Sequence, residues 1–90
     1  MSITDLRSRA KLLGATDLRP STRKGKKYMV LYLGRWIHFG AMGYADFTQH
    51  RDTRRRDAYR ARHSRILLKN NVPAYKVPSQ PAYWAWHLLW

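Results

Sequence analysis

An arginine-rich stretch that follows a glycine-punctuated bend most constrains how this chain can fold. Seven of the twelve arginines lie between Arg51 and Arg65, and Gly40 and Gly43 precede them. We predict that residues 52–68 form the main helix. Like charges at i and i+4 would destabilise such a helix free in solution, so we expect anions or an acidic protein surface against it. The alternative is a basic face that is merely solvated, as most charge runs are.

The same helix carries a narrow apolar stripe, because Tyr59, His63 and Ile66 lie at i, i+4 and i+7. Its arginines cover most of the remaining circumference and are the predicted contacts to an anion or partner: Arg51, Arg54, Arg55, Arg56, Arg60, Arg62 and Arg65. A second basic cluster lies earlier, in a polar connector at residues 15–27, and comprises Arg23, Lys24, Lys26 and Lys27. This connector is either a solvated loop or a phosphate-contacting arm.

Residues 28–39 have the composition of strands, and a glycine divides them. We predict a β-hairpin that turns near Leu33 and Gly34. Because a two-stranded hairpin is not stable alone, it needs a helix across it, and we expect the basic helix to pack there. Asp46 or Thr48 is suited to cap a helix that begins near Phe47.

Short helices are predicted at both ends of the chain. Residues 2–13 form a docking helix, with Ser2 or Thr4 as its N-cap. Residues 69–90 begin as a proline-rich crossing and end in a helix that Ser79 caps. That last helix is apolar on nearly every side, so it either closes this domain's own core or packs on another chain. The predicted protein-interface residues are Tyr83, Trp84, Trp86, Leu89 and Trp90.

Together these elements predict a small single α+β domain at residues 1–90, with a β-hairpin packed against a basic helix. Its parts are a docking helix (1–14), a basic connector (15–27), a hairpin–helix core (28–68) and the crossing with its aromatic helix (69–90). A chain of 90 residues buries only about 60% of its unfolded surface, so its core is marginal alone.

Composition narrows the classes of function. The formal charge is +13, with 18 basic and 5 acidic residues, which indicates an anionic partner or a place in a large assembly. There is no cysteine or glutamate, and no histidine spacing matches a metal-ligand motif. We therefore expect no catalytic residues, metal, cofactor or small-molecule substrate. No apolar run approaches the length of a membrane span.

An ordered set of motifs runs along the chain and comprises His38, Phe39, Gly40, Asp46, Phe47, Thr48, His50, Tyr59, Arg62, His63, Trp86, Leu88, Leu89 and Trp90. This set resembles a family of small uncharacterised basic proteins encoded by large double-stranded DNA viruses of protists and algae. The resemblance covers roughly residues 10–90 and implies a viral setting, with the virion as the expected location.

Two functions are therefore expected from the sequence. The first is a non-enzymatic structural component of a viral particle, a minor capsid or internal scaffold protein, that bridges neighbouring chains through its basic helix and aromatic C-terminus. The alternative is a nucleic-acid-binding module that contacts DNA or RNA phosphates through residues 51–65, or a basic subunit of another large complex.

Overall fold

The computed structural model of the chain describes residues 2–90. Its elements are, in order, α1 (Ile3–Leu12), β1 (Asp17–Pro20), β2 (Lys26–Tyr32), β3 (Arg35–Ala41), α2 (Phe47–His50), α3 (Thr53–His63), a single 3₁₀ turn (Ala74–Lys76) and α4 (Pro81–Leu88). The α+β class predicted from the sequence is confirmed.

The three strands form an antiparallel sheet in the order β1-β2-β3. The predicted hairpin is confirmed between β2 and β3. Leu33 and Gly34 both have positive φ, 49° and 77°, as a two-residue turn that follows the strand twist requires. Residues 15–27, which were predicted to form a polar connector, contain the additional strand β1. It pairs with β2 and places Leu18 opposite Val30 on the buried face.

Helices α1 and α4 pack on one face of this sheet and form the core with it. The fully buried side chains include Leu6 of α1, Val30 and Phe39 of the sheet, and Trp84 of α4. The Trp84 indole donates to the Pro78 carbonyl over 2.8 Å, so its one polar group is satisfied. The prediction that the basic helix lies across the hairpin is wrong. The aromatic helix α4 takes that place because it is the more apolar of the two.

Helix α1 begins as predicted. The Ser2 hydroxyl accepts from the Asp5 amide, and the Asp5 carboxylate accepts from the Ser2 amide, which forms a capping box. Leu6 and Ala10 then face the core one turn apart.

Helix α3 ends at His63, five residues before its predicted end at residue 68. The chain bends back because the Ile66 carbonyl accepts from the Ala74 amide, and the Leu68 amide donates to Val72. Asn71 has a φ of 64° in this bend, the left-handed conformation that asparagine adopts in turns. The prediction of Ser79 as a cap is also wrong, since α4 begins after Gln80 without a side-chain cap.

Candidate functional site

The entry to α2 is fixed by a buried ion pair that uses one of the predicted anion-binding lysines. Asp46 is 3% exposed and caps α2, accepting from the Thr48 amide over 3.0 Å and from the Thr48 hydroxyl. Lys27 Nζ lies 2.7 Å from the same carboxylate and also donates to Gln49 Oε1 over 3.1 Å. Lys27 is therefore a structural residue, which corrects its prediction as a partner contact.

A second cap separates α2 from α3. Arg51 takes the left-handed conformation with φ 56°, and the Asp52 carboxylate accepts from the Arg54 and Arg55 amides. The Asp52 amide donates to His50 Nδ1 over 2.8 Å. Because Nδ1 accepts, the neutral ring carries its proton on Nε2, which is buried without a hydrogen-bond partner among residues 2–90.

Helix α3 docks on the end of α4 through an aromatic stack, which we define as His63, Tyr59 and Trp90. The Tyr59 ring centroid lies 3.9 Å from that of His63 and 4.3 Å from that of Trp90, with interplanar angles of 20° and 7°. Burial raises the pKa of Tyr59 to about 12. Burial, and then the charge of Arg62, lower the pKa of His63, which favours its neutral form.

Two arginines of α3 point inward and hold the helix in place. The Arg56 guanidinium lies 5.0 Å from the Phe47 ring centroid of α2. The Arg60 guanidinium lies 5.3 Å from a Trp86 ring centroid and donates to the main-chain oxygen of Trp90 over 3.0 Å. Both distances are in the range of cation–π attraction. Arg56 and Arg60, which were also predicted to contact a partner, are half-buried in these contacts and are less accessible than the exposed arginines of the same helix.

The remaining arginines of α3 form one exposed face. At 3.6 residues per turn, Arg54, Arg55 and Arg62 fall within about 100° of the helix circumference, and all three are exposed. We call these three residues the arginine arc. Arg51 and Arg65 are also exposed and flank it along the chain. Within residues 2–90 the only acid paired with the arc is Asp52, which lies 3.9 Å from Arg55.

A groove of about 490 Å³ lies between α3, α4 and the β3–α2 loop. We call it the basic groove. Arg62 of the arc and Lys26 of β2 both line it, so the structure brings together cations from the two predicted clusters. The exposed side chains of Tyr44 and Ile66 also line it. The sequence prediction missed Tyr44, and the available signal was a large aromatic residue directly after Gly43.

The other residues of the predicted basic cluster lie away from this groove. Arg23 and Lys24 are exposed in the β1–β2 turn. The Ser21 hydroxyl accepts from the Arg23 amide and lies 2.7 Å from His38 Nδ1. Desolvation, followed by the charges of Arg23 and Lys26, lowers the pKa of His38. Arg23 instead lines a separate depression of about 360 Å³ at the hairpin.

The predicted protein-interface residues lie mostly inside the molecule. Trp84 and Leu89 are 0% and 2% exposed in this chain's own core, which corrects their prediction as interface residues. Tyr83, Trp86 and Trp90 are half-buried. Each has an internal ring partner: Tyr83 lies against His87, Trp86 stacks on Tyr75, and Trp90 stacks on Tyr59. Burial, then the charge of Arg60, lowers the pKa of His87.

Within residues 2–90, no group of three histidine or aspartate side chains is arranged to hold a metal ion. None of the helices described for these residues has the length and apolar character needed to cross a membrane.

Comparison with known protein families gives a match. A model described as a family of unknown function (DUF5754) matches residues 16–63, which is more than half of the chain. The matched region runs from just before β1 to the end of α3, and it includes the arginine arc. No curated protein and no solved structure matches the chain.

Proposed function

We propose that this chain, which belongs to the DUF5754 family of unknown function, is a non-enzymatic protein that binds the phosphate backbone of nucleic acid. The observation that carries the proposal is the arginine arc. Arg54, Arg55 and Arg62 are exposed together on one face of α3, whereas Arg56 and Arg60 of the same helix pack against aromatic rings.

The dimensions of α3 suit a nucleic-acid duplex. Its 11 residues span about 16 Å, and a helix with side chains is about 10–12 Å wide, close to the width of the DNA major groove. Guanidinium groups form bidentate hydrogen bonds with phosphate oxygens. The net charge of +13 adds a long-range attraction for a polyanion.

The composition of the exposed face favours phosphate over an acidic protein surface. Stable protein interfaces depend on a few buried aromatic or apolar anchors at their centre. On the helical wheel Ala58 lies between Arg54 and Arg62, and it offers no such anchor. Phosphate contacts need only accessible cations, and a small residue between them lets the backbone approach closely.

The salt dependence of duplex binding tests this proposal. Each phosphate contact contributes about −0.9 to the slope of log affinity against log salt concentration. We expect a triple substitution of Arg54, Arg55 and Arg62 by glutamine to reduce this slope by roughly 3. Fluorescence anisotropy with a labelled DNA or RNA duplex, between about 50 and 200 mM salt, measures the slope.

A charge-matched variant provides the control. Substitution of the exposed residues Lys11, Lys69 and Lys76 by glutamine removes the same charge from elsewhere on the surface. This control is expected to keep most of the slope. If the two triple variants lose the same amount, binding follows net charge and the arc is not the site. If the unchanged protein gives no salt-sensitive binding to either duplex, the proposed function is wrong.

A structural role in a viral particle is a second candidate, which the family resemblance implies. The observation that favours it is the exposed apolar pair Ile66 and Leu67, at 48% and 52% exposure, directly after α3. Replacing both residues by serine is expected to prevent incorporation into particles while the isolated protein stays folded. Replacing Lys69 and Asn70, which are exposed beside them, is the control. Normal incorporation of the serine variant would remove this candidate.

A further inference from the structure

The basic groove has the size and composition of a ligand site rather than of a surface irregularity. Its volume of about 490 Å³ falls within the range of small-molecule sites. Ala82, Ala85 and Leu89 from the α4 region form apolar parts of its lining. The Trp90 and Tyr59 rings complete this lining, but they stack on each other, so those two faces are not open to a ligand.

The charge in the groove favours an anion. Lys26 and Arg62 line it, and neither makes an ion pair within residues 2–90. Asp46 is the one acidic side chain among the groove's lining residues, and it is already paired with Lys27 at 2.7 Å. A ligand in the groove therefore meets two cationic side chains without an ion pair and no unpaired acidic side chain.

One side of the groove offers an exposed aromatic ring. Tyr44 is 74% exposed, and its main-chain oxygen accepts from Lys27, which fixes the backbone while the ring remains accessible. Exposed aromatic residues beside cations are the arrangement that single-stranded nucleic-acid binders use, because every base has a face that stacks.

We infer that the basic groove receives one unpaired nucleotide, with its phosphate on Lys26 and Arg62 and its base against Tyr44 and the apolar lining. This inference rests on the proposed function, because Arg62 belongs both to the groove and to the arginine arc. A nucleic-acid strand that is bound by the arc therefore also reaches the groove. Bases that are paired and stacked in a duplex cannot enter it, so an unpaired base is the occupant that fits.

A duplex with a single unpaired nucleotide tests this inference. The probe is a short duplex with a one-nucleotide 2-aminopurine bulge, compared with the same duplex without the bulge. We expect about tenfold tighter binding of the bulged duplex, since stacking of one base on an aromatic side chain is worth about 1–3 kcal/mol. We also expect the 2-aminopurine fluorescence to change when its base enters the groove.

Two variants and one control locate the effect. Tyr44→Ala removes the exposed ring, and Ala82→Leu fills part of the groove, so each is expected to abolish the preference for the bulge. Ala61→Leu enlarges an exposed alanine of α3 that does not line the groove, and it is expected to keep the preference. Circular dichroism and urea unfolding check that each variant is folded.

The outcomes separate this inference from the proposed function. Absence of salt-sensitive binding to both probes contradicts the proposed function and the inference together. Equal binding of both probes with unchanged 2-aminopurine fluorescence overturns the inference alone. The inference also fails if the preference persists in both Tyr44→Ala and Ala82→Leu, because a bent duplex then explains it. A last outcome also overturns the inference. If an acidic, leucine-containing peptide binds, if Ala82→Leu blocks that binding, and if the bulge has no effect on duplex affinity, the groove binds a protein instead of a nucleotide.

Discussion

Removal of the charge of Asp46 tests whether Lys27 belongs to the fold or to the binding surface. Asp46→Asn keeps a side-chain oxygen that accepts from the Thr48 amide, so the α2 cap survives, but the charge that faces Lys27 is lost. Lys27→Met is the reciprocal change, because it removes the cation and keeps a side chain of similar length.

The expected magnitude follows from the burial of the pair. The side chains of Lys27 and Asp46 are 12% and 5% exposed, and removing one partner of a buried pair costs about 3–5 kcal/mol. Lys27 keeps two other acceptors, the Tyr44 carbonyl and Gln49, so we expect about 3 kcal/mol for Asp46→Asn. A 90-residue domain has roughly 5–13 kcal/mol in total, so this loss is a large share.

Urea unfolding of a double-mutant cycle measures the interaction. Tryptophan fluorescence gives the free energy of unfolding for the unchanged chain, each single variant and the double variant. We expect a coupling energy of about 2 kcal/mol, because the double variant leaves no unpaired charge. The Asp17–Arg19 pair is the matched control. Its side chains are 25% and 60% exposed, so its coupling energy is expected to be below about 1 kcal/mol.

A coupling energy below about 0.5 kcal/mol for Lys27 and Asp46, or one equal to that of the control pair, would refute this reasoning. Lys27 would then return to the set of cations available to a phosphate. A stable Lys27→Met variant that loses duplex affinity would lead to the same conclusion.

Three further perturbations test the packing. Gly40→Ala is expected to lower the free energy of unfolding in urea more than Gly25→Ala does. Both glycines have positive φ, but a Cβ at Gly40 would lie 2.9 Å from the Leu89 side chain, whereas a Cβ at Gly25 would have nothing within 4 Å. Equal losses of free energy in the two variants would contradict this packing. Tyr59→Leu is expected to lower the thermal midpoint by about 8 °C or more, because it removes roughly 2 kcal/mol or more of stabilisation from ring stacking and burial. An unchanged midpoint would contradict the aromatic stack. Folding lowers the pKa of His63 from 6.5, so as the pH falls the unfolded chain binds a proton before the folded chain does. The contribution of His63 to stability is therefore present above about pH 6.5 and is lost as the pH falls towards the pKa of the folded chain. The urea midpoint is therefore expected to fall between pH 7 and pH 5, and less in His63→Gln; the same fall in both proteins would assign the effect to other groups.

Local structure was predictable wherever a short motif determines it. The Ser2 cap of α1, the turn at Leu33 and Gly34 and the Asp46 cap of α2 each depend on a few neighbouring residues, and all three are confirmed. The inward direction of Tyr59 followed from helical spacing in the same way.

Features that depend on distant partners were not predictable from local pattern. Strand β1 has only Leu18 as a buried residue and ends in proline, so only its pairing with β2 makes it a strand. The end of α3 depends on the Ala74 amide reaching back to the Ile66 carbonyl. Sequence periodicity contains neither piece of information.

The role of each arginine was partly predictable. On a helical wheel Arg56 and Arg60 lie on a different side from Arg54, Arg55 and Arg62, but this pattern gives no reason to place them inside. Their partners are rings on other elements, Phe47 and Trp86, whose positions only the fold provides. Lys26 and Arg62 line one groove, and this arrangement depends in the same way on how the fold places β2 relative to α3.

Arginine side-chain NMR during titration with a nucleic-acid duplex tests the central claim most directly. It follows the Nε–H signals of all five α3 arginines in one sample. We predict that Arg54, Arg55 and Arg62 shift with duplex concentration, that the shifts reverse when salt is added, and that Arg56 and Arg60 move little. Unchanged signals for the three exposed arginines, or equal shifts for Arg56 and Arg60, would contradict the claim that the arginine arc contacts phosphate.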